Sequence, residues 1–306
     1  MMARLGFAAS LALGAVLGSW SAVGSAELLV YEGFGDVANE NDSINGYSGS
    51  SAEVGLSGSW SLSGTGSQKL TKRSTAEYVG VAGGFQAEYT GGNQHWWEHN
   101  NNWNVNTASR ALSSPIDLSV DGATYMSFFV LAGHTDFLAQ VGLANGTNEI
   151  MFGNAYSGAS PKGFTGYFGP LGSDVLTNGN GTLVSHAQVS GAYKTGFYLA
   201  ELIKSNSGTT DDLQMNLSYW DFGVAAAPTN SLDTPDGSRS IALAGVTGSF
   251  DALRIKLSGG STYPSIDEVR IGTRFIDATG VPEPTSVMLM GALALCVPGA
   301  RRMVRV

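Results

Sequence analysis

Apolar and polar residues alternate at every second position in several segments of this chain, and this period constrains the fold more than any other feature. In Leu213–Tyr219 every odd position is apolar or aromatic and every even position is polar. In 253–257 the odd positions are leucine or isoleucine, with Arg254 and Lys256 between them. Successive side chains of a strand point to opposite faces, so both segments predict strands with one buried and one solvated face.

Composition disfavours helix in the same region. Glycine is 42 of 306 residues, and each glycine in a helix interior costs about 1 kcal/mol relative to alanine. Gly/Asn pairs such as Asn145-Gly146 tolerate the positive φ of tight β-turns. We therefore expect an all-β domain over residues 27–280, an antiparallel β-sandwich of the jelly-roll type. Further strands are expected at Leu28–Phe34, Thr124–Leu131, Phe137–Leu143, Glu149–Phe152, Gly196–Ile203 and Ile266–Ile271.

The first 26 residues have the pattern of a secretory signal peptide. Arg4 supplies the positive charge, and Leu5–Leu17 supplies a short apolar segment. Gly24-Ser25-Ala26 offers small residues for cleavage, which makes Glu27 the expected first mature residue. The pattern predicts export and removal of residues 1–26.

The last 26 residues have a three-part order that is typical of a processing signal. The motif Val281-Pro282-Glu283-Pro284 stays extended, because proline fixes φ and restricts the residue before it. The apolar run 285–300 follows, slightly short for a membrane span of about 20 residues. Arg301 and Arg302 come next and would hold that end at the cytoplasmic face of a membrane. We expect a short transmembrane helix over 285–300.

This tail resembles the PEP-CTERM sorting signal of Gram-negative bacteria. The resemblance implies that an exosortase in the inner membrane recognises the Pro-Glu-Pro motif and removes the tail during export. It also implies that the processed protein belongs to the cell surface or extracellular matrix of an exopolysaccharide-producing bacterium. The alternative is a plain C-terminal membrane anchor.

The region between the two signals resembles the LamG-like, concanavalin A-type jelly-roll proteins. The resemblance rests on Leu29–Phe34 and Ser265–Gly272 at the two ends, on Gly58-Ser59-Trp60, and on the mid-chain strand Tyr125–Val130. It implies a secreted or surface β-sandwich, which in some relatives binds glycans. It does not imply a shared active site, because function depends on the site and not on the fold.

Charge and cysteine content exclude several classes of function. Without Arg4, Arg301, Arg302, Arg305 and Glu283, residues 27–280 keep 12 basic and 24 acidic residues, a net charge of −12. Such a surface repels phosphates, so we expect no nucleic-acid partner. The one cysteine, Cys296, is in the tail, so the mature domain has neither a disulfide nor a thiolate metal ligand.

An aromatic cluster is the first candidate binding site. Trp96, Trp97 and Trp103 fall within eight residues, with His95 directly before them and His99 between them. Aromatic faces stack on sugar rings while histidine and asparagine tips bond hydroxyls, so the cluster predicts a carbohydrate site. The alternative is that these residues form a packed structural loop. A metal site at His95 and His99 is a weaker alternative, because asparagine-rich flanks favour a loop without a third ligand.

A calcium site is the second candidate. Glu32 and Asp267 each alternate with apolar residues on the expected first and last strands, so both are expected to point to the apolar side. Two inward carboxylates are costly unless neutralised, and a structural Ca²⁺ with oxygen ligands would neutralise them. Alternatively, one carboxylate caps backbone N–H groups or pairs with an arginine such as Arg270 or Arg274.

Catalytic patterns are weak, so we expect a protein that is not an enzyme. Retaining glycosidases need two carboxylates about 5–5.5 Å apart, but Asp267 and Glu268 are adjacent and are expected to face opposite sides. No nucleophile elbow, zinc-binding helix or P-loop occurs. The leading prediction is a non-enzymatic surface or matrix protein. A carbohydrate-binding module is the second prediction, and a glycoside hydrolase or lyase on the same fold is the third.

Overall fold

The computed structural model of the chain describes residues 27–34, 42–49, 53–63, 68–73, 94–99, 102–132, 138–155, 163–172, 184–185, 194–205, 213–221, 234–259 and 265–279. The predicted signal peptide, 1–26, and the predicted sorting tail, 281–306, lie outside these ranges. Within them, no helix has the length and apolar character needed to cross a bilayer.

The described residues form 16 strands and one short helix. The strands are β1 (Leu28–Glu32), β2 (Asp42–Ser43), β3 (Leu56–Ser63), β4 (Gln68–Arg73), β5 (Gln94–His99), β6 (Asn102–Asp117), β7 (Gly122–Ala132), β8 (Leu138–Ala144), β9 (Asn148–Ala155), β10 (Gly163–Pro170), β11 (Val184–Ser185), β12 (Lys194–Lys204), β13 (Leu213–Asp221), β14 (Gly237–Leu243), β15 (Ser249–Gly259) and β16 (Ser265–Gly272). The helix α1 (Phe275–Thr279) follows β16.

These strands build two sheets, and all the strand pairs are antiparallel. The nine-stranded sheet has the order β14-β13-β12-β7-β16-β5-β4-β2, with β1 also paired to β16. The seven-stranded sheet has the order β11-β10-β9-β8-β15-β6-β3. The predicted fold class, an antiparallel jelly-roll β-sandwich, is therefore confirmed. The first and last strands also pair, as the jelly-roll prediction requires.

The main core lies between the two sheets and is rich in aromatic residues. Phe128 of the nine-stranded sheet stacks on Tyr198 with ring centroids 5.1 Å apart. The same ring meets Phe152 of the seven-stranded sheet edge-on, also at 5.1 Å. All three side chains are buried. Phe128, Tyr198 and Phe152 each lie on the inner face of their strand, while the residues next to them in the chain lie on the outer face.

A second apolar cluster lies on the outer face of the nine-stranded sheet. Phe129, Phe197, Leu199 and Trp220 pack there with Ala278 of α1. The Ser127 hydroxyl donates a hydrogen bond to the Ala278 carbonyl and ties the helix to the sheet. This second cluster explains why β7 is apolar on both faces, since both of its faces are covered.

A β-bulge in β16 changes which face its residues occupy. Asp267 pairs with Phe129, whereas Arg270 pairs with Ser127, so β16 has one residue more than β7 in this interval. Glu268, within the bulge, has a φ of 51°, in the left-handed region that is uncommon for residues other than glycine. Partners in an antiparallel register share a face. Asp267 therefore lies on the outer face with Phe129, and regular alternation from Val269 does not hold across the bulge.

Candidate functional site

Two clusters of buried charges stand out, one on each side of the seven-stranded sheet. The core-side cluster consists of Glu32, Glu53 and Arg110. The outer-face cluster consists of Gln140, Glu149, Tyr167, Arg254 and Lys256. Buried charges are costly unless they are paired and hydrogen-bonded, so the pairing within each cluster indicates what it does.

Arg110 is the centre of the core-side cluster, and each of its nitrogens has an acceptor. Its Nη1 is 2.9 Å from Glu32 Oε2 and 2.5 Å from Glu53 Oε2. Its Nη2 is 2.7 Å from Glu53 Oε1 and also donates to the Ser48 carbonyl. Its Nε donates to the Gly58 carbonyl at 3.0 Å. The guanidinium therefore holds together segments that are more than 50 residues apart in the chain.

Glu32 in the same cluster is also fully bonded. Its Oε2 accepts from Trp60 Nε1 at 3.0 Å, and its Oε1 accepts from the Phe34 N–H at 2.8 Å. Burial raises the pKa of Glu32, while the hydrogen bonds from Trp60 and Phe34 and the charge of Arg110 lower it. Every polar atom of this carboxylate and of Arg110 has a partner, which indicates that the cluster has a structural role.

The bulge carries a third group of buried polar residues. The Tyr31 hydroxyl donates to Glu268 Oε1 at 2.8 Å, and Arg270 Nη2 donates to Glu268 Oε2 at 3.2 Å. The Asp267 carboxylate accepts from the Glu268 N–H at 2.7 Å. Burial raises the pKa of Asp267 well above its usual range, and the neighbouring Glu268 charge raises it further. Adjacent residues 267 and 268 are thus both buried, because the bulge breaks the alternation that would separate them.

Glu32 and Asp267, the two carboxylates predicted to share calcium, do not lie on the same face of the sheet. Glu32 pairs with Val269, a residue of the main core, whereas Asp267 lies on the outer face of the same sheet. Glu32 is neutralised by Arg110, not by Arg270 or Arg274. Among the described residues, no group of three or more His, Cys, Asp or Glu has the arrangement of a metal site. The structural calcium ion stays a prediction; register places the two carboxylates on opposite faces of the sheet, while the Glu32 charge contributes to the raised pKa of Asp267.

The buried Asp267 gives a test by pH. Its folded pKa is raised, so above the usual aspartate pKa of 3.8 the folded state keeps a proton that the unfolded state has lost. The free energy of unfolding should therefore fall as the pH rises from about 4 towards 8. Asp267→Asn keeps the acceptor for the Glu268 N–H and removes the titration. We expect urea unfolding to show a smaller loss of stability with pH in this variant, whereas parallel curves would contradict the raised pKa.

The predicted aromatic cluster is divided between the two sheets. Trp96 and Trp97 lie in β5, which pairs with β4 and β16, and Trp103 lies in β6 of the other sheet. Position 97 is opposite Ile266, a residue of the main core. Positions 96 and 97 are therefore on opposite faces of the strand. A single platform formed by all three tryptophans stays a prediction without support from this topology.

The histidines of that segment also lie in β5 and not in the expected loop. His95 and His99 are four positions apart on the strand. A strand rises about 3.3 Å per residue, so their Cα atoms are separated by about 13 Å.

Glu149 is the centre of the outer-face cluster. Its Oε1 accepts hydrogen bonds from Lys256 Nζ and, at 2.7 Å, from the Tyr167 hydroxyl. Lys256 Nζ also donates to the Tyr167 oxygen at 2.7 Å. Arg254 Nε is 3.0 Å from Glu149 Oε2. One carboxylate therefore holds two cations and a phenol together, across three strands.

Strand register explains how these residues meet. Arg254 and Lys256 alternate along β15 with core residues, so they occupy the outer face. Gln140 of β8 is directly opposite Lys256, and Gly142 is opposite Arg254. Glu149 lies one strand further, on β9. Because Gly142 has no side chain, the two cations of β15 can reach across β8 to the carboxylate.

The outer-face cluster is buried but, unlike the core-side cluster, incompletely bonded. Glu149 is 0% and Gln140 1% exposed, while the Arg254 side chain is 15% exposed. Among the described residues, Gln140 Nε2 has no hydrogen-bond partner. The Arg254–Glu149 contact is an ion pair whose two atoms are not aligned for a hydrogen bond. Gln140 Nε2, a donor, and Glu149 Oε2, an acceptor, are therefore both without a hydrogen bond among the described residues, and each such buried group costs about 1–3 kcal/mol.

Sequence reasoning placed Arg254 and Lys256 on a solvated strand face and missed their partners. The available signal was the position of Gln140 and Glu149 in otherwise apolar segments, LAQVGLA and NEIMF. A single polar residue in a strand that is apolar on both faces indicates a buried polar contact. Tyr167 gave no such signal, because tyrosine is common in strands.

A cleft of about 480 Å³ also opens at one end of the sandwich. Its lining includes Leu29, Ile116 and Leu202 as apolar residues. Glu27, Asp117, Asp121 and Lys204 supply its charges, which give a net charge of −2. Asp117 already accepts from the Ser119 N–H and hydroxyl, which lower its pKa. No unsatisfied buried group is found among the residues of this cleft.

Neither a protein-family model nor a curated protein matches the chain. The solved structures that resemble it include the T. cruzi calreticulin globular domain, 11% identical with a TM-score of 0.43, over 89% of this chain and 99% of that chain. The VIP36 exoplasmic/lumenal domain in its metal-free form is 11% identical with a TM-score of 0.35, over 78% and 93%. A beta-1,3-glucanase from Mycobacterium marinum is 12% identical with a TM-score of 0.34, over 81% and 99%. Likeness at this level assigns no function.

Proposed function

We propose that this protein is an exported, non-enzymatic β-sandwich that binds an extracellular polysaccharide through the outer-face cluster. The observation that carries the proposal is the unpartnered Nε2 of Gln140, buried beside Lys256 on the outer face of the seven-stranded sheet. Buried polar groups almost always have partners. An orphaned donor in a cluster of cations is best explained as a group that a ligand completes.

A hydroxyl-rich polymer fits the layout of this face. Gln140 and Arg254 lie on the adjacent strands β8 and β15, and Gln140 is 1% exposed, so a ligand would reach its amide from the side of Arg254. Strands lie about 4.8 Å apart, a spacing close to one sugar ring. Arg254 is the most exposed of these residues and is the one that a ligand meets first. Each hydrogen bond gains only about 0.5–1.5 kcal/mol on exchange with water, so several must act together.

Hydrolysis is disfavoured at this cluster. Both mechanisms of glycoside hydrolysis need two carboxylates that flank the bond to be cleaved. Glu149 is the only carboxylate among the described outer-face residues of β8 and β9 that lie beside 252–258 of β15. Its oxygens are already held by Lys256, Tyr167 and Arg254. The cluster has the donors of a binding site and lacks the paired acid and base of a glycosidase.

The two predicted export signals agree with an extracellular ligand. Removal of residues 1–26 would release the domain across the inner membrane, and an exosortase acting at Pro282-Glu283-Pro284 would release it from the tail. The proposed location is therefore the cell surface or the extracellular matrix. The net charge of −12 over residues 27–280 repels anionic ligands in general. A face that binds such a ligand must therefore supply its own positive charge.

Binding should depend on Arg254. Arg254→Met removes a charge-assisted donor worth about 1.5–3 kcal/mol, and should weaken binding about 10- to 150-fold. Arg239→Met is the matched control, since Arg239 is in β14 of the other sheet. The measurement is affinity electrophoresis of the purified protein through gels that contain soluble polysaccharides. The proposal fails if the folded wild-type protein is retarded by none of them, or if both variants behave alike.

A further inference from the structure

We propose that the Asp277 carboxylate binds the new amino terminus that removal of the signal peptide creates at Glu27. The Glu27 nitrogen lies 3.2 Å from Asp277 Oδ2. In the uncleaved chain this nitrogen is a neutral amide, whereas in the mature chain it is an ammonium group. The inference rests on the predicted cleavage after Ala26 and is independent of polysaccharide binding.

Backbone contacts on its C-terminal side fix the position of the Glu27 nitrogen. The Glu27 carbonyl accepts a hydrogen bond from the Thr273 N–H at 3.1 Å, and β1 begins with Leu28 opposite Gly272 of β16. A Cβ atom at Gly272 would lie 2.3 Å from Asp277 Cβ and 3.3 Å from the Glu27 carbonyl oxygen. The missing side chain at this position therefore lets α1 approach the start of β1.

Asp277 has the surroundings of a cation-binding group. Its side chain is 9% exposed, and Oδ2 also accepts from the Arg274 N–H at 3.2 Å. Arg274 Nε is 3.8 Å from the same oxygen and makes no hydrogen bond among the described residues. An ammonium at Glu27 would be the cation in hydrogen-bond contact with this carboxylate, and such charge-assisted bonds are about twice as strong as neutral ones.

Cleavage changes the charge of this contact without moving its atoms. A signal peptidase hydrolyses the Ala26–Glu27 peptide bond with one water molecule. Ala26 leaves with the new carboxylate, and the Glu27 nitrogen becomes an amine that takes up a proton at neutral pH. A chain that began one residue earlier or later would place its ammonium about 3.3 Å further along the strand. The contact is therefore specific for a mature chain that begins at Glu27.

The contact also connects the two predicted processing signals. The helix α1 ends at Thr279, and the sorting motif begins at Val281. The C-terminal end of α1 is attached to the sheet through Ser127 and Ala278, and its first turn is attached to β1 through Asp277. Removal of the signal peptide thus strengthens the attachment of the helix that directly precedes the second signal.

The proposed ion pair has a defined dependence on pH. An α-amino group ordinarily has a pKa of about 7.7–8.0, and the negative charge of Asp277 raises that pKa because it stabilises the protonated form. The stabilisation is therefore complete below about pH 7.7 and is lost as the pH rises through the folded pKa. The other charged groups around the terminus are carboxylates, a guanidinium and a lysine ammonium, types that ordinarily titrate outside this range: the Glu27 side chain, Arg274, Asp117, Asp121 and Lys204.

The test measures the proton affinity of the amino terminus in protein that is exported with its own signal peptide. Intact mass first identifies the mature terminus, and competitive labelling with acetic anhydride over a range of pH, read by mass spectrometry, then gives its titration midpoint. We expect the wild-type terminus to bind its proton about 3- to 10-fold more tightly than that of Asp277→Asn. Asparagine keeps an oxygen acceptor and removes only the charge. Asp117→Asn, which changes another carboxylate of the cleft that Glu27 borders, is the matched control and should titrate like the wild type.

Equal midpoints for folded wild type and Asp277→Asn would overturn the inference, and so would an equal change in Asp117→Asn. A mature chain that begins at another residue would remove the predicted cleavage and the inference with it. If Asp277→Asn fails to fold, insertion of Ser-Gly between Ala26 and Glu27 moves the ammonium away and keeps the Glu27 N–H. A midpoint for that variant as high as for the wild type would also overturn the inference.

Discussion

Replacing Arg110 with methionine should lower the free energy of unfolding by about 3–5 kcal/mol, since breaking a buried ion pair leaves an uncompensated charge. The substitution removes the guanidinium that Glu32 and Glu53 share and leaves the carbonyls of Ser48 and Gly58 without their donor. Glu32 is 0% exposed, so water cannot replace the lost partner. Methionine keeps an unbranched apolar side chain, so lost packing contributes little to the expected effect.

The measurement is equilibrium urea unfolding at neutral pH, with the slope of the transition checked against the wild type. Arg239→Met is again the control, because the Arg239 guanidinium has a buried Nη1 without a hydrogen-bond partner among the described residues. That variant should change stability by less than ~1 kcal/mol. A cost below ~1 kcal/mol for Arg110→Met would show that the core-side cluster does not hold the strands together.

The sheet architecture was predictable from the period-two pattern, but the position of Asp267 was not. The alternation predicts β13 and β15, the apolar run Thr124–Leu131 predicts a strand that is buried on both faces, and all three lie as expected in an antiparallel sandwich. Asp267 was assigned to the inner face by alternation with Val269. One extra residue at the bulge reverses that assignment. Nothing local in Ser265–Gly272 signals the bulge, since Glu268 adopts a positive φ without being glycine.

The contacts of the outer-face cluster could not be predicted from the sequence, for a different reason. Lys256 and Glu149 are separated by 107 residues, and their contact depends on the order β9-β8-β15 in the sheet. Strand order is set by long-range pairing, which a local pattern does not contain. Arg254 and Lys256 were correctly placed on the polar face of their strand. Only the register shows that Glu149 lies within their reach.

Lys256→Met should have the largest effect on ligand binding. The ammonium donates to Glu149 and to Tyr167, and it supplies half of the positive charge in the cluster. Without it the cluster keeps Arg254 as the cation that contacts Glu149. Removing one member of a buried charged contact costs at least about 2 kcal/mol, so affinity should fall at least ~30-fold. The variant should also be less stable, because Glu149 keeps only one cation.

Lys204→Met is the matched control for that loss of stability. Lys204 is 5% exposed and Lys256 is 4% exposed, but Lys204 lies at the end of β12 in the other sheet. Both substitutions remove a buried ammonium and both should lower the melting temperature. Only Lys256→Met removes a donor from the outer-face cluster, so only that variant should lose the ligand.

Calorimetric titration of a soluble polysaccharide that retards the wild-type protein into the wild type, Lys256→Met and Lys204→Met, at a temperature where all three are folded, tests directly whether the outer-face cluster is a binding site. We predict that the wild type and Lys204→Met bind with similar affinity, and that Lys256→Met binds at least ~30-fold more weakly or not at all. Equal binding by folded Lys256→Met and wild type would contradict the account. The cluster would then be a structural feature of the sheet, like the one around Arg110.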